Sequence, residues 1–371
     1  MPQFKHNQLK SIKTGISLPF WFGFLIWVFL LTTAVIAQSP GSSLVTLSKC
    51  WQYESPGLRT VSPAADSSNL YIAEEGGRVT AVSLSNGNRL WSTELGGDIS
   101  SNVAVADSNL YVITSDISKR SRLRSLSNTS GLPNFELDIP FADNFQLFSI
   151  NAKLVIVSNA GAITSVSTVN RTSEWSLSIT NPDLKTIAMQ ESKLLISSAD
   201  RRVHYFDLDQ GKELRSIPAE NDVSATSFIG ADVLFGDTRG NLIRQHKERR
   251  SWRLKSGAKI VKILNSENGI IAASTDNFVY GLAAYNGDIH WKKRMPGRIS
   301  DITMINDQVV VQMIGESAAI LLDPNDGKPV GQFSLDDEGG FVLPPIEAKE
   351  TVLFFSPTYV LATTEQKCTL K

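Results

Sequence analysis

Two cysteines, four histidines and one aspartate-rich loop are the groups in this chain whose types and spacing bear on covalent or metal chemistry. Cysteine pairs in an exported protein form disulfides, grouped histidines hold metals, and aspartate-rich loops with a correctly placed glycine and glutamate bind calcium. His6, His204, His246 and His290 are scattered, with no spacing suited to shared ligation. In Asp323-Pro324-Asn325-Asp326-Gly327 the position that needs glycine is Lys328 and the position of the bidentate acid is Ser334, so the stretch reads as a turn. Gly76-Gly77 lies between two strand-like runs, without the following helix that a phosphate cradle needs. No serine, histidine and acid set stands out. This reading names no catalytic, cofactor or metal residues, and the chain is expected not to be an enzyme.

The elements that would position any site are short strands in a repeat. NLYIAEEGGRVTAVSLSNGNRLWSTEL, starting at Asn69, reads as strand, turn, strand, turn, strand. Asn86-Gly87 suits a two-residue hairpin loop, in which both central positions have positive φ. Four residues after Gly87 stands Trp91, and the same step links Gly131 to Phe135 and Gly287 to Trp291. The column continues through Trp51, Trp91, Phe135, Trp175, Arg215, Trp252, Trp291 and Gly331, a period near 40 residues. Several strands per period of that length indicate a β-propeller.

A second column agrees. NLYIAE, NLYVIT, KLVIVS, KLLISS, DVLFGD, GIIAAS, QVVVQM and TVLFFS begin at 69, 109, 153, 193, 232, 269, 308 and 351. They are too apolar for half-exposed strands and suit strands covered on both faces by neighbouring blades. The predicted fold is therefore all-β, an eight-bladed propeller of four-stranded antiparallel blades over 44–371. Trp51, Trp91, Phe135, Trp175, Trp252 and Trp291 are expected to pack between blades. The last copy has only three strands, so the front strand 44–54 is expected to supply its fourth and close the ring. In that register Cys50 and Cys368 flank one hairpin turn of the eighth blade, where a disulfide would fasten the closure. The alternative is two unpaired thiols.

The amino terminus is different in kind. Lys5, Lys10 and Lys13 precede an uncharged run from Ile16 to Ala37 that includes FWFGFLIWVFLL. Residues 1–37 read either as a signal peptide cleaved before Gln38 or as a retained transmembrane anchor, with 38–43 as linker. On both readings the ring lies outside the cytoplasm, and the formal net charge of −1 calls for no nucleic acid.

The stretch 69–95, and VYGLAAYNGDIHWKKRM from 279, resemble the repeat of the pyrroloquinoline-quinone-type β-propellers. An eight-bladed member of this length behind an export signal is most similar to the BamB family, scaffold subunits of the outer-membrane protein assembly machine. The resemblance implies no catalytic residues and no cofactor. The lipoprotein cysteine of many members is absent, since Cys50 lies well past the apolar run. The resemblance to quinone dehydrogenases is smaller, because those would have a longer chain and an adjacent cysteine pair.

Charge placement suggests where a partner binds. Turns between second and third strands share a face with the links between blades. On that face fall Arg78, Lys119, Arg120, Arg122, Arg201, Arg202 and Arg239. The links add Asp98, Asp143, Glu220, Asp222, Asp336, Asp337 and Glu338, giving expected separate basic and acidic sectors. Asn128-Thr129-Ser130 and Asn170-Arg171-Thr172 fit glycosylation acceptors in exposed hairpins on the opposite face. The functional expectation is a monomeric, non-enzymatic scaffold for protein partners, such as membrane-protein assembly machinery, with a membrane at its amino terminus. The alternative is a quinone- or small-ligand-dependent enzyme using the central channel.

Overall fold

Strands whose two faces are both apolar must be covered on both sides, and a ring of blades does this for every blade without leaving an end. The computed structural model describes residues 47–55, 57, 61–181, 183–247, 249–336, 339–365 and 368, and shows that ring. The expected signal or anchor segment, the linker, Asp337 and Glu338 lie outside the described residues. Among the described residues no helix is long and apolar enough to cross a membrane.

Within Ser43–Lys371 there are eight antiparallel sheets, each built from strands called a to d from the axis outward. Around the axis the a strands of most neighbouring blades lie against one another, most extensively from blade 4 to blade 6. Strands b match the apolar column: Asn69–Glu74, Asn109–Ser115, Lys153–Ser158, Lys193–Ser198, Asp232–Asp237, Gly269–Ser274, Gln308–Met313 and Thr351–Phe355. Their centres are buried, and the core is a series of clusters, each shared between adjacent blades. In blade 2 strand a is interrupted, with Asp98–Ile99 and Ala104–Ala106 both pairing to strand b.

Blade 8 takes a, b and c from Leu343–Ala348, Thr351–Phe355 and Tyr359–Thr364, and d from Ser48–Glu54. Trp51 opposes Ala362, and a bulge falls between Lys49 and Trp51. Cys50 and Cys368 are joined as a disulfide, with their Cα atoms 5.3 Å apart.

The c–d hairpins differ from the expected two-residue turn. In blade 1 the Gly87 N–H donates to the Ser83 carbonyl and the Ser83 N–H to the Asn88 carbonyl, so the loop has four residues, Leu84 to Gly87. Of the Asn86-Gly87 pair only the glycine has positive φ, +74°. A single left-handed residue ends the turn, and the bulge beside it, between Ala81 and Val82, accommodates the extra length. The same pair of hydrogen bonds recurs at Gly131, Arg171, Gly287 and Gly327.

This loop explains the aromatic column. Each tryptophan lies on the hairpin glycine of the next blade: Trp51 on Gly87, Trp91 on Gly131, Trp175 on Gly211, Trp252 on Gly287 and Trp291 on Gly327. A Cβ on any of those glycines would sit 2.4–2.7 Å from the indole, and positive φ disfavours a side chain there as well. The indole N–H then donates to the carbonyl three residues before the glycine. The acceptors are Leu84, Asn128, Ala284 and Pro324, at 2.8–3.0 Å. Trp175 packs in the same way, but its N–H has no partner among the described residues.

Where the hairpin residue is not glycine, the facing residue is not tryptophan. Arg171, at φ +60°, faces Phe135 of blade 2, its guanidinium 5.1 Å from the ring centroid. At the equivalent hairpin position of blade 5 stands Lys247, at φ +48°, and the column residue of blade 4 is Arg215, which turns onto its own neighbour Tyr205 at 4.9 Å. The column is therefore one side of a two-residue code read across each blade junction.

Candidate interaction face

Every charge singled out in the b–c turns does lie at that end of the blades, because antiparallel strands return b–c turns and d–a links to one face. Their pairing differs from separate sectors. Arg78 reaches Glu94 at 3.0 Å, Arg120 reaches Asp116 at 2.8 Å, and Arg122 reaches Asp138 at 2.9 Å. Arg201 bridges to Asp222 in the link to blade 5 at 3.0 Å. Glu220 in the same link receives Arg253 at 2.9 Å, and Lys49 pairs with Asp336. Arg202 donates to Ser216, at 2.5 Å to the hydroxyl and 3.0 Å to the carbonyl.

The expected sectors are thus corrected to interleaved pairs. Long side chains reach the nearest carboxylate across strands c and d or across a blade junction, distances that a list of formal charges does not contain. Exposed pairs of this kind contribute only about 0–1 kcal/mol each, but they cancel the field that would steer a partner. Lys119 and Arg239 remain exposed without a side-chain partner among the described residues. In blade 2, next to Lys119 along the chain, Arg120, Arg122 and Arg124, with the Gly96-Gly97 backbone, line a cavity of 160 Å³ between blades 1 and 2.

The two sequons separate. Asn170 is exposed in its hairpin. Asn128 is half-buried: its carbonyl accepts the Trp91 indole N–H at 3.0 Å, and its side-chain amide faces Asp66 of blade 1 at 3.5 Å. The expected exposure of Asn128 is corrected, since that hairpin is packed under a neighbouring tryptophan. Burial pushes the Asp66 carboxyl up, but hydrogen bonds from Tyr71, the Ser68 and Asn69 N–H groups and Asn128 hold it below the usual range. Tyr71 itself is pushed well above the usual phenol range, by burial and then by that carboxylate.

One titratable cluster has no signal in the sequence. His204 on strand c of blade 4 lies between Glu213, 2.9 Å from Nδ1, and Asp200, 3.2 Å from Nε2, with the Ser198 hydroxyl 3.4 Å from Nε2. The arrangement superficially matches a nucleophile, base and acid. Ser198 is buried, however, and donates its hydrogen to Asp200 at 2.6 Å, so its hydroxyl is aimed at a turn. The cluster ties the b–c turn to strand d, and only strand pairing brings its members together.

At the axis, side chains join inner strands. Thr186 meets Thr226 at 2.9 Å between blades 4 and 5, and Lys262 meets Asp301 at 3.6 Å between blades 6 and 7. Burial pushes Asp301 up, against the pull of Lys262. A group whose folded pKa is raised contributes stability while protonated, and that contribution is lost as pH rises through the raised value. At neutral pH the charged form is therefore disfavoured by folding. Asp301→Asn keeps the acceptor for the Ile302 N–H, 2.7 Å away, and is expected to raise the melting temperature at pH 7. The gain should shrink on acidification, as thermal melts across pH would show; a gain that grows toward low pH would contradict the assignment.

Residues 46–138 match the family model described as outer membrane protein assembly factor BamB. No curated protein matches the sequence. Among solved structures the chain is similar to BamB from Moraxella catarrhalis, at 15% identity and TM-score 0.68 over 86% of this chain and 100% of that one. It is similar also to Sqt1 of Saccharomyces cerevisiae, at 11% identity and TM-score 0.70 over 85% and 98%. The computationally designed Ika8 protein matches at 10% identity and TM-score 0.72 over 85% and 99%. At these identities the structural likeness is one of fold. Together with the family match it describes a pyrroloquinoline-quinone-type propeller resembling BamB.

Proposed function

We propose that this chain is a non-enzymatic scaffold that binds proteins outside the cytoplasm, in the assembly of outer-membrane proteins. The match of residues 46–138 to the BamB model carries this reading. Two features of the ring support it. The disulfide across the closure suits an oxidising compartment. The blade junctions, locked one by one through the aromatic column, make the faces rigid, and a rigid surface binds with little loss of conformational freedom.

Photo-crosslinkers placed at Lys119 and Arg239 on one face, and at Leu132 and Val169 on the other, would test it in intact cells. All four positions are exposed. A discrete adduct from one face, identified as a component of membrane-protein assembly, is the expected result. Stoichiometric binding of pyrroloquinoline quinone with calcium, coupled to dye-linked oxidation of an alcohol, would overturn it in favour of an enzyme.

A further inference from the structure

The outer strands of the ring divide by charge. Those of blades 1 to 3, Arg89–Glu94, Pro133–Ile139 and Ser173–Ser178, carry Glu94, Glu136, Asp138 and Glu174. Those of blades 5 and 6, Arg249–Lys255 and Ile289–Arg294, read RRSWRLK and IHWKKR and contain no carboxylate. The acidic strands are neutralised where they stand, by Arg78, Arg122, Arg124 and Lys153. The basic strands are neutralised only in part. Arg253 and Arg250 share Glu220 at 2.9 and 3.5 Å. Lys292 lies over the Phe278 ring at 4.3 Å, and Lys292, Lys293 and Arg294 have no carboxylate partner among the described residues.

Ile289–Arg294 is also an edge. It pairs with Phe278–Leu282 on one side and, among the described residues, with no strand on the other. From Trp291 onward its residues alternate: Lys292 and Arg294 are exposed on the face of Tyr280 and Phe278, while Trp291 and Lys293 are half-buried on the other, and a bulge between Ile289 and Trp291 puts the exposed Ile289, opposite Leu282, on the face of Lys292. Lysine on an edge strand prevents pairing with another such edge, because like charges placed opposite each other repel. The same device leaves one complement. In an incoming strand with acidic and apolar residues alternating, the carboxylates fall opposite Lys292 and Arg294, and the apolar side chains meet Trp291 on the other face.

We propose that the outer edge of blade 6 is a docking strand for an extended acidic protein segment, which adds to Ile289–Arg294 by backbone pairing and is selected by Lys292 and Arg294. The proposal rests on the scaffold reading and names the chemistry of the partner. The neighbouring basic edge of blade 5 extends the field that draws such a segment in. An anionic lipid surface would use the same charges, but it cannot use the row of backbone donors and acceptors. The charges also point two ways: Lys293 shares the face of Trp291, which packs on blade 7, and Lys292 is on the other face over Phe278. A plane does not match that arrangement.

The test uses the full-length chain in detergent solution, with a short peptide of alternating glutamate and valine, its lysine-valine counterpart, and phosphatidylglycerol vesicles. The glutamate peptide should bind and the lysine peptide should not. Amide protection at 289–294 should rise on binding. Lys292→Glu combined with Arg294→Glu should weaken binding by about tenfold without changing the melting curve. Undiminished binding by the variant, or binding without new protection at 289–294, overturns the proposal. So does vesicle binding without peptide binding, which assigns the charges to lipid, and so does a dimer that the variant abolishes, which assigns the edge to a second copy. A variant that loses the peptide yet keeps the crosslinked partner would leave the scaffold reading standing and remove this edge as its basis.

Discussion

Trp252→Ala is expected to destabilise the ring by about 3–5 kcal/mol, the range for removing a large aromatic side chain from a core. The residue is 8% exposed, lies on the Gly287 hairpin of blade 6 and donates its indole N–H to Ala284 at 3.0 Å. Alanine leaves a cavity between two blades whose backbones cannot close on it, because each is held by its other junction. The loss also removes one of the two donors to the Ala284 carbonyl, which keeps Arg244 at 2.5 Å. Denaturant unfolding measures the effect. A companion experiment separates the code from simple burial. Gly287→Ala should be destabilising in the parent, where a Cβ would meet the indole at 2.6 Å, and less so in the Trp252→Ala background. Part of the cost should persist, since φ is +78° at that position. Independent, additive effects of the two changes would show that the indole and the glycine do not specify each other.

Cys368→Ser is expected to have the other large effect. The disulfide joins residues 318 apart in sequence, and chain-entropy arguments place a loop of that size near the upper end of the usual range, ~5 kcal/mol. Its position adds a local consequence. Strand Ser48–Glu54 is held in blade 8 by pairing with Tyr359–Thr364 and by Trp51 on blade 1. Without the crosslink that strand is the part of the ring with the fewest covalent constraints. Hydrogen exchange in the serine variant should therefore rise first at 48–54 and then along the exposed edge of Tyr359–Thr364. A melting temperature unaffected by the substitution or by reductant would show that the closure is held by packing alone.

The architecture was legible because a propeller is a nearest-neighbour structure. Each blade is encoded by residues within about one repeat of each other, and the same apolar run and aromatic position recur wherever the same packing is needed. The b strands, the blade that needs a strand from both ends and the Cys50–Cys368 pairing follow from that periodicity. At Asn86-Gly87 the local dipeptide preference for a two-residue turn is outweighed by the bulge and the tryptophan packed against the loop, which demand glycine at one position only.

What sequence alone determined, then, is the number of blades, their register and where the ring closes, since these depend on the order of apolar and polar residues along the chain. The tertiary structure alone decided which charges remain free. Arg201 and Asp222, Arg253 and Glu220, and Lys49 and Asp336 meet because folding sets their carriers side by side. Asn128 is covered because Trp91 of the preceding blade donates to its carbonyl. His204 meets Asp200 and Glu213 only through strand pairing. Lys292, Lys293 and Arg294 have no carboxylate partner among the described residues, on a strand at the outer edge of its sheet. Strand periodicity is a property of spacing along one chain, whereas charge cancellation depends on distances of a few ångströms between side chains from different strands and blades, and those distances exist only once the ring has formed.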